Sequence, residues 1–384
     1  MMDTLRLYAE WEAASFVERE NRFCLLLKKD GTAFRAYIPN TGRMEEFLVD
    51  GGTFFVSPFK TEKFTYRVVS TLYQDNYVLL DTIEANRLVN RLIQKQYFPF
   101  LKNVEKVERE KSFGNVRLDF LVHRYKRKPL LLEVKTCTLC HNGVAMFPDA
   151  PSTRALRHIE SLNRLAAQGY ETRMLFIIPN GSAKLFMPNF HTDYDFTKKF
   201  LEPQPLNFSA SKIRMVDPVT VDLESLEDIK IEYDRAVSSC TPAGSYLLVL
   251  KNENKKRIQA GKLGTVSFEK GYYVYAGSAL RGLDSRVSRH SRKRKKVFWH
   301  IDFIAPYHMS IERVFAIRRP DKIESKIVNA LQSICNDHVK GFGASDSKAK
   351  SHLFFFKKPP FRLKEFMNIV LDLNTSSGAY ITKT

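Results

Sequence analysis

Residues 117–135 read RLDFLVHRYKRKPLLLEVK. The stretch holds Asp119, two apolar runs, and then Glu133 and Lys135 separated by one residue. Side chains alternate across a strand, so Glu133 and Lys135 leave the same face of LLLEVK. Glu110 stands upstream, on the strand before Asp119. Acids and a lysine converging at one end of a sheet can hold a divalent cation and position a water, which is the equipment of metal-assisted phosphodiester hydrolysis. A plainer reading stands beside it: Asp119 as a strand-end cap, with Glu133 and Lys135 as a salt bridge.

Working outward, strands are expected near residues 105–113, 116–123 and 130–137. Leu88, Leu92, Ile93 and Tyr97 share a helical face after Glu84. A second helix should start at Ser152, after Pro151, and end at Gly169. The run MLFIIP (174–179) reads as a buried strand. That order builds an α/β sheet with acids at one rim. Ahead of it, five apolar runs (FCLLLKK, AFRAYI, TFFVSPF, YRVVSTLY, NYVLLD) are separated by the turn signals KDGT, PNTG, DGG and QDN, which predicts a small barrel, the oligonucleotide-binding fold being one common kind. In it, PNTGR (39–43) offers backbone amides and a guanidinium, and RENRF (19–23) adds two arginines. Arg19, Arg22, Asn40 and Arg43 are therefore expected nucleic-acid contacts, against the alternative of an ordinary turn and strand edge. After SSCTPAG (238–244) come strands YLLVL and GYYVYAG, a basic helix, an amphipathic helix over about 321–335, and a last strand HLFFF. Three domains are expected, over residues 1–83, 84–237 and 241–384.

The chain has 384 residues and a net charge of +19, a balance that favours nucleic acid or an anionic surface as partner. No apolar run approaches the roughly 20 residues needed to span a bilayer, so no membrane is expected. The N-terminus carries acids where a signal peptide needs a basic and then an apolar stretch, which reads as cytoplasmic. The five cysteines are scattered. CTLCH (137–141) has the form of a haem attachment site, but it follows an apolar strand and has no second Cys/His pair at zinc spacing, so neither haem nor zinc is expected. Two reduced, half-buried thiols are the expectation for Cys137 and Cys140.

The motifs PNTGRM (39–44), EANRLV (84–89), the RE of VEREKSFG, RLDFLV (117–122), LEVKTCTL (132–139) and FPDAPSTRALRHI (147–159) occur in that order. In this the chain resembles the PD-(D/E)xK nuclease superfamily and, more narrowly, the sugar fermentation stimulation protein A family, over about residues 10–235. The resemblance implies an oligonucleotide-binding barrel ahead of a restriction-endonuclease-like α/β core. It implies that Asp119 and Glu133 ligate Mg²⁺, with Mn²⁺ an alternative, that Lys135 orients the attacking water, and that Glu110 is a further acid. Hard carboxylate oxygens suit such a cation. Ser112 departs from the family, which usually has a basic residue there. Arg154 and His158, at i and i+4, share a helix face and are expected to bind phosphate at the lip of the site. The alternative is a solvent-facing pair that caps its own helix.

GYYVYAGSALRGL (271–283), RVSRH (286–290), FWHIDF (298–303), GFGASD and SHLF resemble a divergent GIY-YIG nuclease domain, of α/β class. Its motifs read GSY (244–246) and YAG (275–277) rather than GIY and YIG. The resemblance implies Tyr246 or Tyr275 assisting water deprotonation, Arg286 on phosphate, and Glu324 holding a second cation. Glu324 shares a helical face with Ile327, Val328 and Leu331, and an acid there is costly to bury unpaired. Between Arg281 and Lys296 stand eight Lys or Arg and one acid. Arg281, Arg289, His290 and Arg292 are therefore expected on nucleic acid, with salt-sensitive and sequence-independent binding. The reading is a Mg²⁺-dependent nuclease acting on DNA, with RNA left open. The alternative is a non-catalytic, sequence-nonspecific DNA-binding regulator linked to sugar metabolism.

Overall fold

The computed structural model describes residues 3–114, 116–344 and 349–376, so Ser345, Asp346 and Ser347 of the GFGASD region lie outside the described residues. The chain divides into two compact units, Met1–Ala236 and Val237–Thr384. Among the described residues no helix is long and apolar enough to cross a membrane.

The first unit opens with a closed barrel. Its strands are Glu12–Asn21, Cys24–Lys29, Thr32–Tyr37, Thr53–Pro58 and Tyr66–Tyr73, extended by Asn76–Leu79. Closure comes from parallel pairing of Thr32–Tyr37 with Tyr66–Tyr73, in register Ala36↔Tyr66 and Tyr37↔Arg67. Two of the expected turns are two-residue hairpins with both φ positive: Asp30 and Gly31 at 47° and 83°, Gln74 and Asp75 at 47° and 59°. That twist matches the flanking strands. The strand Glu12–Asn21 is absent from the sequence expectation. It pairs centrally with both Cys24–Lys29 and Thr53–Pro58, yet only Ala14 and Phe16 of its ten residues are buried. So little apolar content hides the period of two.

The turn at residues 39–43 is built differently from the expectation. The Arg19 guanidinium donates to the carbonyls of Gly42 (2.6 Å), Arg43 (3.0 Å), Asn40 (3.1 Å) and Arg22 (3.1 Å). Asn40 is buried, accepts from the Gly42 amide and donates to the Leu80 carbonyl. Both residues are taken up in holding the turn, while Arg22 and Arg43 stay exposed. The turn sits on Asp149, whose carboxylate accepts from the Met44 amide at 3.2 Å.

A seven-stranded mixed sheet follows, in the order Thr4–Arg6, Thr220–Asp228, Asn207–Asp217, Glu171–Ile178, Leu130–Thr136, Val116–Arg124, Val104–Phe113. The first strand thus lies outside the barrel, with Leu5 opposite Val221. The three middle strands are parallel, and helix Thr153–Ala167 lies in the chain between Leu130–Thr136 and Glu171–Ile178. Leu130, Leu132 and Val134 face one core with helix Thr82–Gln94, whereas Leu131 faces the other with Ala155, Ile159 and Leu162. This two-faced burial explains the continuous apolar run. Helix Thr82–Gln94 is capped by Asp81, which also accepts from Tyr8 at 2.5 Å and ion-pairs with Arg67 of the barrel. The helix stops at Gln94, so Tyr97 lies beyond it.

The second unit holds a five-stranded antiparallel sheet, in the order Ser310–Arg318, Gly244–Asn252, Gly271–Ala279, Leu353–Phe356, Asp337–His338. Helices Leu283–Ser291, Glu324–Ile334 and Lys364–Thr375 accompany it. The basic run is helical only to Ser291, and Arg292–Lys296 continues without helix. Strand Ser310–Arg318 and the last helix were not expected from the sequence.

Gly42 has no side chain because a methyl there would overlap the Asp149 carboxylate, which Met44 holds in place. Gly42→Ala is expected to lower stability by about 1–3 kcal/mol, read as a lower urea midpoint with an unchanged slope. An unchanged midpoint would show that Asp149 moves aside freely.

Candidate active site and nucleic-acid interface

The acid cluster forms where two strands part. Strands Val116–Arg124 and Leu130–Thr136 pair through Leu130↔Val122, Leu131↔Leu121 and Leu132↔Phe120. Continuing that register would set Glu133 opposite Asp119. Instead the Asp119 carboxylate enters the gap and accepts from the Val134 amide at 2.8 Å. Its other oxygen accepts from Asn86 Nδ2 at 2.9 Å. Burial and the neighbouring Glu133 charge push the Asp119 carboxyl up to about 7.

Glu133 is 2% exposed. Its Oε1 takes Lys135 Nζ at 2.6 Å and His158 Nδ1 at 2.5 Å. Burial opposes the charge, but Lys135 and His158 outweigh it and hold Glu133 below the usual range. Glu133 Oε2 is buried with no hydrogen-bond partner among the described residues. In the low dielectric of a protein interior, a carboxylate oxygen left this way is costly. Two carboxylates in one place, one half-satisfied and the other driven toward its protonated form, are a donor set that a hard divalent cation fits.

The structure brings Glu110, Asp119, Glu133, Lys135 and Arg154 onto one cleft of about 810 Å³. Arg22, Asn40, Thr41 and Gly42 of the barrel line the same cleft. Glu110 has φ of 55°, and its carboxylate pairs with Arg117 at 2.7 Å, so it faces its own strand partner. Arg154 is exposed on the rim, while His158 is buried below it, accepting from Arg154 Nε at 3.4 Å. His158 thus holds Glu133 from beneath instead of lying at the lip. It is not the solvent-facing partner of Arg154 either. Asn86 was not singled out from the sequence; its only signal is its place inside EANRLV. Cys137 and Cys140 are fully buried, beyond the half-burial expected, and His141 Nδ1 pairs with the Tyr73 hydroxyl at 2.7 Å.

In the C-terminal unit, Tyr246 lies across the strand pair from Gly277, where any Cβ would strike its ring. The glycine of YAG is what lets the tyrosine of GSY lie flat. The Tyr246 hydroxyl pairs with His290 Nε2 at 2.8 Å, and the Tyr275 ring centroid is 6.3 Å from that of Tyr246. Burial, then the Tyr275 and Asp302 charges, raise the Tyr246 phenol, whereas burial and Lys295 lower His290 to about 4. Arg286 stacks on Trp299 at 4.1 Å. Glu324 is half-exposed in the first turn of its helix, paired with His352 at 3.2 Å and Ser278 at 3.3 Å. His290 is buried, and Arg289 is bound bidentate to Asp302 at 2.9 and 3.0 Å. Arg281 and Arg292 are exposed. Asp302 also accepts from the Phe298 and Trp299 amides, so it organises the basic segment, a role its position in the sequence did not signal.

The Asp119 carboxyl titrates higher in the folded chain (about 7) than in the unfolded one (3.8). Its contribution is therefore fully present below about pH 4 and lost as pH rises through 7. Asp119→Asn, in a chelator, is expected to gain about 1–3 kcal/mol relative to wild type between pH 4 and 8. Denaturation at both pH values measures it, and a gain of equal size at both would refute a titration origin.

Three family profiles match the chain: "SfsA N-terminal OB domain" over residues 17–80, "Sugar fermentation stimulation protein RE domain" over 83–215, and "Domain of unknown function DUF123" over 245–375. A sugar fermentation stimulation protein homolog of Desulforamulus reducens is 36% identical over 186 residues, which are 48% of this chain and 77% of that one. Its counterpart in Methanosphaera stadtmanae is 34% identical over 193 residues, 49% and 80% of the two chains. The solved structure of Pyrococcus furiosus SfsA in complex with Ca²⁺ aligns with a TM-score of 0.54 at 26% identity, covering 59% of this chain and 99% of that one. A nuclease-like sheet behind an oligonucleotide-binding barrel, with these matches in the same order, leads to one conclusion: the chain belongs to the sugar fermentation stimulation protein family.

Proposed function

We propose that the protein hydrolyses phosphodiester bonds of DNA at Asp119, Glu133 and Lys135 with the help of a divalent cation, Mg²⁺ or Mn²⁺. The observation that carries this reading is the buried, unpartnered Oε2 of Glu133 beside a second carboxylate in an open cleft. The Pyrococcus furiosus relative was solved with Ca²⁺, another oxygen-seeking cation, which supports a metal at the acids here. Bound to Asp119 and Glu133, such a cation supplies positive charge for the oxygens of the reacting phosphate.

The chain's own groups supply the rest. Lys135, held on Glu133, orients the attacking water and balances charge that builds on the phosphate. His158 donates to Glu133 and keeps that carboxylate ionised and aimed. Arg154 on the rim, with Arg22 and Arg43 of the barrel, binds flanking phosphates. Water attacks phosphorus in line and releases one proton to solvent, the phosphorus–oxygen ester bond opposite breaks, and the departing oxygen takes a proton from solvent. The net charge of +19 strengthens backbone binding, for RNA as well as DNA.

The hydrogen bond between Tyr246 and His290 favours a second phosphodiester site in the C-terminal unit. There Tyr246 or Tyr275 assists the water, Arg286 binds phosphate, and Glu324 offers a carboxylate for a cation. Arg281 and Arg292 supply exposed backbone contacts there.

The test is cleavage of labelled single-stranded, duplex and branched DNA, and of RNA, in Mg²⁺ or EDTA. Glu133→Gln is expected to lose at least about 100-fold in rate, with wild type inactive in EDTA. Cutting lost only in Tyr246→Phe combined with Arg286→Ala would move the chemistry to the C-terminal unit. No cutting by wild type, with salt-sensitive binding retained, would establish the non-catalytic regulator instead.

A further inference from the structure

The outer face of the barrel carries a row of aromatic rings that its core does not need. Phe23 and Tyr37 stack with centroids 6.5 Å apart and planes 21° apart. Tyr37 in turn stacks on Phe59 at 5.4 Å and 19°, with Phe64 5.7 Å away. The barrel core is made by other residues, among them Leu25, Leu27, Phe54, Val56 and Val68. Part of the row has a structural duty. Tyr37 and Phe59 flank the Arg67 guanidinium, at 5.9 and 5.4 Å, which pairs with Asp81. Phe23 has no such duty, and it is 47% exposed. Ile83 beside the row is 44% exposed.

The row is continuous with the acid cluster. Phe23, Tyr37 and Ile83 line the same cleft as Asp119 and Glu133. Tyr37 and Ile83 also line a shallower depression of about 530 Å³ that holds Phe59, Phe64 and Arg67. Exposed Arg22 lines the cleft and exposed Lys63 the depression, whose lining holds Glu62 as its one acid among the described residues. A duplex keeps its bases stacked on one another and offers such a surface only phosphates. A single strand offers a π-face with every base, and rings beside a cationic groove bind it with little regard to sequence.

We propose that Phe23, Tyr37 and Phe59 form a base-stacking track that holds a single strand and leads it to the Asp119–Glu133 pair, so that the substrate is nucleic acid with unpaired bases. This names the substrate class of the site described above and rests on that reading. Phe23 and Tyr37 are specificity-determining residues in this scheme, and Arg22 serves the backbone between them and the acids.

The test uses the full-length chain in EDTA, with anisotropy of three labelled probes: oligo-thymidylate of about 12 nucleotides, an abasic phosphodiester of the same length, and a duplex. Wild type should bind oligo-thymidylate about tenfold or more tighter than the abasic chain. Phe23→Ala and Tyr37→Leu should each weaken oligo-thymidylate by roughly fivefold or more, leaving abasic and duplex binding within about twofold. Equal loss on all three probes, or loss on none, overturns the proposal. Phe23 is half-exposed, so Phe23→Ala and Phe23→Leu decide the matter if Tyr37→Leu lowers the melting temperature. Cleavage is scored separately with Mg²⁺. Base-dependent binding without any cleavage would sink the nuclease reading and leave the track standing. Cleavage with ring-insensitive binding would do the reverse.

Discussion

The hydrogen bond from the Val134 amide to the Asp119 carboxylate is the constraint on which the first unit's site depends. A sheet ladder normally gives that amide a backbone carbonyl. Here a side chain takes the carbonyl's place, the two strands separate, and the gap becomes the floor of a cleft. The Val134 amide of the adjacent strand and Asn86 each hold one oxygen of Asp119, which keeps it beside Glu133. Two carboxylates are thus held together in a buried place; burial first, and then the Glu133 charge, drive the Asp119 carboxyl up to about 7, and Glu133 Oε2 is left without a hydrogen-bond partner among the described residues. Perturbed carboxyls of this kind cluster at functional sites.

A second constraint ties the barrel to that cleft. Asp149, Gly42 and the five carbonyls gathered by Arg19, that of Asn21 included, form one corner. Arg19 resembles a phosphate-binding arginine in the sequence because charge and position look alike on paper. Its five donors instead satisfy a turn whose carbonyls would otherwise point together unpaired. Arg22 and Arg43, from the same two segments, are left free of that work and exposed. The division of labour among these arginines follows from which side chain the turn encloses. No local pattern distinguishes them.

The C-terminal unit shows the same separation between type and role. Residues of the basic run are not equivalent: Arg286 and Arg289 lie over Trp299, Arg289 and Lys295 reach Asp302, and Arg292 is exposed. His290 is enclosed by Tyr246 and Trp299 at a depth that keeps it uncharged near neutral pH.

Much was legible in the linear sequence where burial is two-sided or periodic. Strands at 104–113, 116–124 and 130–136, the Ser152-capped helix and the tight hairpins came through because apolar periodicity, capping and positive-φ turn residues are local properties. The shared face of Glu133 and Lys135 was equally local, since alternation along one strand dictates it. The strand Glu12–Asn21 did not show, because its neighbours on both sides, and not its own composition, make it central. What the sequence alone determined is the inventory: an acid and a lysine on a buried strand with a second acid on the strand before it, a barrel ahead of them, a basic excess and two tyrosine motifs. Only the tertiary structure decided that His158 lies beneath Glu133, that Glu110 answers Arg117, that Arg19 belongs to a turn, and that Phe23 and Tyr37 open onto the acids. Each of those depends on contacts between residues distant in the chain, and burial and orientation at such contacts are set by packing.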